Sequence, residues 1–141
     1  YVVVSADHPG TTVMDLVASF GDLTLPLVRR PATLRAAVDA VFAGAVPGLE
    51  PRPGSYAVVG HSLGALTAMV AGGGEISDAR YTATCAGPTP PVACGLVGPI
   101  AFTEDLRSLL VPPDPRIVAT VLQAPAGAFA FAPGTLAAVP N

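Results

Sequence analysis

Gly60-His61-Ser62-Leu63-Gly64 is the stretch of this chain whose residue types and spacing describe a reaction centre. A G-x-S-x-G pentapeptide between a strand and a helix makes a sharp turn that lifts the serine hydroxyl above the sheet. Gly60 and Gly64 are expected to keep that turn clear of the neighbouring strand and helix. The Leu63 N–H then sits at the positive end of the helix, placed to donate to an oxyanion formed during acyl transfer. Ser62 is therefore the candidate nucleophile, Leu63 a backbone oxyanion donor, and Gly60 and Gly64 the residues that permit the geometry.

A serine hydroxyl needs a base to become a useful nucleophile. His8 and His61 are the only histidines. His61 precedes Ser62 on the turn and is expected to point away from the reacting hydroxyl. His8 follows the first apolar run and reads as a turn residue bonding to backbone. On such elbows the chain order is nucleophile, acid, histidine, yet no histidine follows position 62. Asp78, Asp105 and Asp114 follow the serine but precede the last predicted strand. The nucleophile is present and its base is missing.

Other chemistries find less support. Two cysteines and two distant histidines do not make zinc-ligand spacing, and no metal or cofactor is expected. Cys85 and Cys94 fit a local disulfide, which would point to an extracytoplasmic setting, secreted or periplasmic. Two separate thiols in a cytoplasmic protein are the alternative. The net charge is −3, with seven arginines and no lysine. That leaves no basic footprint for nucleic acid and no polybasic patch for anionic lipid. At 51% hydrophobic, the chain is too apolar for intrinsic disorder. No charge follows Arg116, but Pro125, Gly127, Pro133 and Gly134 interrupt the tail, so buried strand and loop are expected rather than a membrane span. A small-molecule partner is the remaining class; the oligomeric state is not encoded in any recognisable pattern.

The elements that must position the serine follow from apolar spacing and turn chemistry. Val2 to Val4 reads as a short buried strand ended by Asp7-His8-Pro9-Gly10. Residues 11–29 have no clear period and read as loop with one helical turn. Pro31 fits the first position of a helix, in which Leu34, Ala37, Val38, Val41 and Phe42 recur at helical spacing and which Gly44 closes. Pro47 to Gly54 is a connection, and Tyr56 to Val59 a second buried strand entering the pentapeptide. An Ala/Leu/Met-rich helix follows and stops at Gly72-Gly73-Gly74. Residues 75–113 read as an insertion or cap-like segment, with Thr103 capping a short helix through Leu110. Ile117 to Leu122 is the third strand. Ala128-Phe129-Ala130-Phe131 suits a core role better than the wall of an acyl pocket. The pattern is α/β, a mostly parallel sheet with flanking helices. The chain opens in an apolar run without an initiator Met and stops at Pro140-Asn141, so residues 1–141 are expected to be a single incomplete domain.

Together these segments resemble the α/β-hydrolase superfamily. They look most like the bacterial predicted dienelactone hydrolases, which are related to platelet-activating-factor acetylhydrolases. The matching pieces are Tyr1-Val2-Val3-Val4 leading to Asp7-His8-Pro9-Gly10, Arg30-Pro31 opening a helix with Val38-Asp39, and Gly60-His61-Ser62-Leu63-Gly64. Cys85 and Cys94 in an insertion follow, then Asp114-Pro115-Arg116-Ile117 before Gln123-Ala124-Pro125-Ala126. The resemblance covers nearly the whole chain. Dienelactone hydrolases proper are less similar, because they carry cysteine where Ser62 stands.

The resemblance implies a partial α/β-hydrolase fold in which Ser62 attacks small carboxylic esters through an acyl-enzyme. It places the second oxyanion donor on a loop before Tyr1, and the acid and histidine beyond Asn141, so the isolated chain is expected to turn over little or no ester. It also implies that the strand between Val2–Val4 and Tyr56–Val59 is missing, leaving a gap or rearranged pairing. Two other readings compete. One is a non-catalytic homologue that binds a small apolar ligand; the other is an acyltransferase using the same elbow.

Overall fold

The computed structural model describes residues 2–12, 15, 24–51, 54–98 and 103–141. They form a mixed α/β arrangement of helices and a two-stranded parallel sheet. Helix α1 spans Thr24–Phe42, strand β1 Tyr56–His61 and helix α2 Leu63–Ala71. Three short helices follow: α3 at Asp78–Cys85, α4 at Val92–Val97 and α5 at Glu104–Ser108. Strand β2 is Ile117–Gln123, and two 3-10 turns at Ala128–Ala130 and Thr135–Ala138 complete the order.

Helix α2 lies at the centre. Ala65, Leu66, Thr67, Ala68, Met69 and Ala71 are all buried, because the helix is packed on more than one side. Leu66 and Met69 join Leu27, Val28, Tyr81, Ala130 and Phe131 in one apolar cluster. Ala68 and Ala71 meet Val58 of β1 and Ile117 of β2 in another. Small residues on the sheet-facing side allow the close approach that a parallel strand–helix unit needs. The expected core role of the Ala128–Phe131 tract agrees with the burial of Ala130 and Phe131 and with Phe129 stacked on Tyr81.

Strands β1 and β2 pair from Ala57 with Ala119 to His61 with Gln123, with an irregularity after Tyr56. Val58 and Gly60 are buried toward α2, while Ala57, Val59 and His61 are exposed on the other face. Two further points differ from the sequence expectation. Val2, Val3 and Val4 are not a buried strand: they are exposed and belong to no sheet. A three-residue run has no hydrogen-bonding partner of its own, so β propensity alone cannot hold it. Tyr1 lies outside the described residues, as does most of the loop expected before residue 24.

Helix α1 begins at Thr24, not at Pro31, which sits inside it. Proline removes the bond that the Leu27 carbonyl would accept, yet Leu27, Val28 and Pro31 are all fully buried. Packing of that turn outweighs one lost hydrogen bond. Residues 75–113 contain α3 and α4, which no periodicity announced, as well as α5, capped by Thr103 accepting from the Leu106 N–H. Residues 99–102 lie outside the described set.

Candidate active site

Ser62 joins β1 to α2 with φ 51° and ψ −117°, a conformation that costs a non-glycine residue on the order of 1–3 kcal/mol. A serine capping a helix ordinarily has extended backbone and bonds an N–H of the first turn. The left-handed φ of Ser62 abolishes that bond: its side chain makes no cap contact. The strain therefore frees a half-buried hydroxyl for other use.

Backbone bonds hold the strained residue from both sides. The Ser62 N–H donates to the Gln123 carbonyl at 3.0 Å, and the Ser62 carbonyl accepts from Ala65, Leu66 and Ala126. The end of β2 is thus stitched to the turn, and Ala124 there also has positive φ, 43°. Leu63, first in α2, has no carbonyl one turn earlier in the helix to bond. Its N–H can donate to an oxyanion beside Ser62.

The two flanking glycines do different work. A Cβ on Gly60 would stand 2.3 Å from the Gly64 carbonyl oxygen and 2.6 Å from the Ala65 nitrogen. Both are backbone atoms, so only glycine fits. A Cβ on Gly64 would meet nothing nearer than Nη2 of Arg30, 4.0 Å away. The steric demand for glycine in this turn therefore falls on position 60.

Arg30 was visible in the sequence only as the residue before Pro31. It is 9% exposed and lies against the first turn of α2. Its Nε donates to Thr67 Oγ1 at 2.7 Å, and its Nη1 donates to Thr11 Oγ1. Thr67 Oγ1 in turn donates to the Leu63 carbonyl at 3.1 Å. No carboxylate among the described residues pairs with Arg30. Its pKa is lowered by burial.

His8 was expected to be a turn residue bonding to backbone. Its carbonyl does accept from the Thr11 N–H and hydroxyl, but its ring Nδ1 is buried without a partner. Burial lowers the His8 pKa, the Arg30 charge lowers it further, and Asp7 opposes both. His61 is exposed at the end of β1. Neither histidine bonds Ser62.

Cys85 and Cys94 form a disulfide with Cα atoms 5.6 Å apart, tying the end of α3 to α4. Such a bond is compatible with an oxidising compartment. A cavity of about 320 Å³ lies at the C-terminal end of α2, lined in part by Val70, Gly74, Ile76 and Val111; Ser62 is at the helix's other end. Among the described residues no cluster of His, Cys, Asp or Glu suits a metal ion, and no helix is long and apolar enough to cross a membrane. No family model, curated protein or solved structure matches the chain.

Proposed function

We propose that this chain is a segment of an α/β-hydrolase and carries the nucleophile of a serine esterase acting on small carboxylic esters. The observation behind the proposal is the backbone of Ser62, at φ 51° between a parallel strand and a buried helix, with its hydroxyl making no cap bond to that helix. A structural Gly-rich turn has no need of such strain at a serine. The Gly60 position, closed to any Cβ, supports the same reading.

Ser62 Oγ attacks the ester carbonyl carbon and gives its proton to a base. The oxyanion that forms accepts from the Leu63 N–H. Collapse expels the alcohol and leaves an acyl-enzyme on Ser62, which water hydrolyses to free the acid. The base is a histidine, held by an acid, in a part of a longer protein outside these residues; neither His8 nor His61 takes the role. The Cys85–Cys94 bond supports an extracytoplasmic setting.

One observation favours a second reading. No base among the described residues touches Ser62, as in a homologue that binds a ligand without turning it over. Fluorophosphonate labelling separates the two. In the longer protein we expect labelling at Ser62 and none in Ser62→Ala. A folded longer protein whose Ser62 resists the reagent would overturn the esterase reading and leave the binding one. Acyl transfer to added alcohol or amine in place of hydrolysis would mark an acyltransferase.

A further inference from the structure

We infer that Arg30, with the His8 imidazole near it, forms an anion-binding subsite against the first turn of α2, fit for one small oxyanion. The inference goes beyond the esterase proposal and does not depend on it.

A guanidinium carries five N–H donors and is always charged. In Arg30 one is used by Thr67 and one by Thr11, both neutral hydroxyls. Nη2 donates to no described group, and it faces Gly64, where the absence of a side chain leaves space. Moving a charge from water into protein without a counter-charge is costly, so buried charges are paired or bind ions. Arg30 is 9% exposed and meets no carboxylate among the described residues. It contrasts with Arg116, which meets Asp114 and Asp39.

The second observation is independent of the first. His8 Nδ1 is buried and makes no hydrogen bond, and Thr11, whose hydroxyl accepts from Arg30 Nη1 and donates to the His8 carbonyl, ties the two residues together. An unpartnered ring nitrogen near such a guanidinium is a donor set waiting for one acceptor. An oxyanion meeting Nη2 accepts a charge-assisted bond there and a second bond from the Nδ1–H tautomer of His8. Gly64 and the amide end of α2 add positive potential on the same side. A carboxylate group and a free inorganic oxyanion share this chemistry.

The test is an NMR titration of the chain, following the His8 ring and the Arg30 side-chain Nε resonances, at constant ionic strength set with chloride. Sodium acetate and sodium sulfate are the probes, added in separate series. We expect saturable shifts at both residues in at least one series. Saturation by acetate identifies a carboxylate site, and saturation by sulfate alone an inorganic oxyanion site. Arg30→Met should weaken binding at least tenfold. Arg30→Lys, which keeps the charge, should retain measurable saturation, and His8→Phe should weaken binding severalfold with the fold intact. Linear, unsaturating shifts in the unaltered chain would overturn the inference, as would equal saturation in a folded Arg30→Met variant.

Discussion

Where β1 and β2 begin, Asp114, Arg116, Asp39 and Arg35 sit among opposite charges; toward the strand ends, against the first turn of α2, Arg30 meets none among the described residues and His8 Nδ1 is unbonded. At the first end the Asp114 carboxylate accepts from the Arg116 N–H, Nε and Nη2 and from the Tyr56 hydroxyl, with Arg35 Nε 3.9 Å away. Arg116 also reaches Asp39 of α1 at 2.7 Å and lies over the rings of Phe42 and Tyr56. The Arg116 guanidinium holds the Asp114 carboxyl well below the usual carboxylate range. Helix α1 spans both regions, with Arg30 at one and Asp39 at the other. Saturated charge locks one end of the sheet, and unsaturated donors remain where chemistry is proposed. The chain is fastened at the strand starts and poised at the strand ends.

The sharpest way to break that comparison is Ser62→Ala in the longer protein. Ester hydrolysis should fall by about 10³-fold or more, while the melting temperature is unchanged. Ser62→Gly, which relieves the positive φ, should raise stability by up to about 1 kcal/mol and be equally inactive. A large stability loss from either would mean that the elbow serves the fold.

The opposite end should behave in reverse. Asp114→Ala leaves Arg116 with Asp39 alone and the Tyr56 hydroxyl without its acceptor, and should cost roughly 2 kcal/mol in denaturant unfolding. Fluorophosphonate labelling of the fraction still folded should be unaffected.

Glycine substitutions sharpen the contrast within the elbow. Gly60→Ala forces a Cβ onto backbone and should cost about 3 kcal/mol or prevent folding. Gly64→Ala meets only the far end of Arg30 and gains helix propensity, so its effect should lie within about 1 kcal/mol of zero. Equal losses at the two glycines, read by thermal melts, would contradict the distances found here.

The two ends should also separate by pH. The Asp114 pKa is depressed in the folded chain, so its contribution is present above the unfolded carboxyl value, about 4, and is lost as pH falls through the folded one. Melting temperature should drop steeply below about pH 4, and Asp114→Asn should flatten that limb. The His8 pKa is also depressed, chiefly by burial. The unfolded state therefore takes its proton first, and a smaller loss should begin as pH falls below about 6.5. That shallow limb should vanish in His8→Phe.

Local patterns in the sequence identified the parts whose structure is set within a few residues. The strand from Tyr56 to Val59, which the structure extends to His61, the turn after it, the helix to Ala71 and the strand from Ile117 were all legible from β-branched runs, glycine punctuation and small apolar residues. The requirement for glycine at position 60 belongs to the same class, since the atoms that forbid a Cβ lie four and five residues on. The Asp114 clasp was not legible, because Tyr56 reaches it across 58 positions.

What the amino-acid order determined by itself is the strand–elbow–helix unit, because the atoms that demand glycine at position 60 lie within five residues of it, although Gln123 and Ala126 also bond Ser62 once the chain has folded. Tertiary structure decided the rest. Val2–Val4 has the composition of a strand but pairs with neither β1 nor β2, and Pro31 lies within α1 because burial of Leu27 and Val28 outweighs a lost bond. Arg30 meets Thr11 and Thr67 across 19 and 37 positions. Whether a charge is paired depends on which residues folding brings within reach of it, and no local pattern records that.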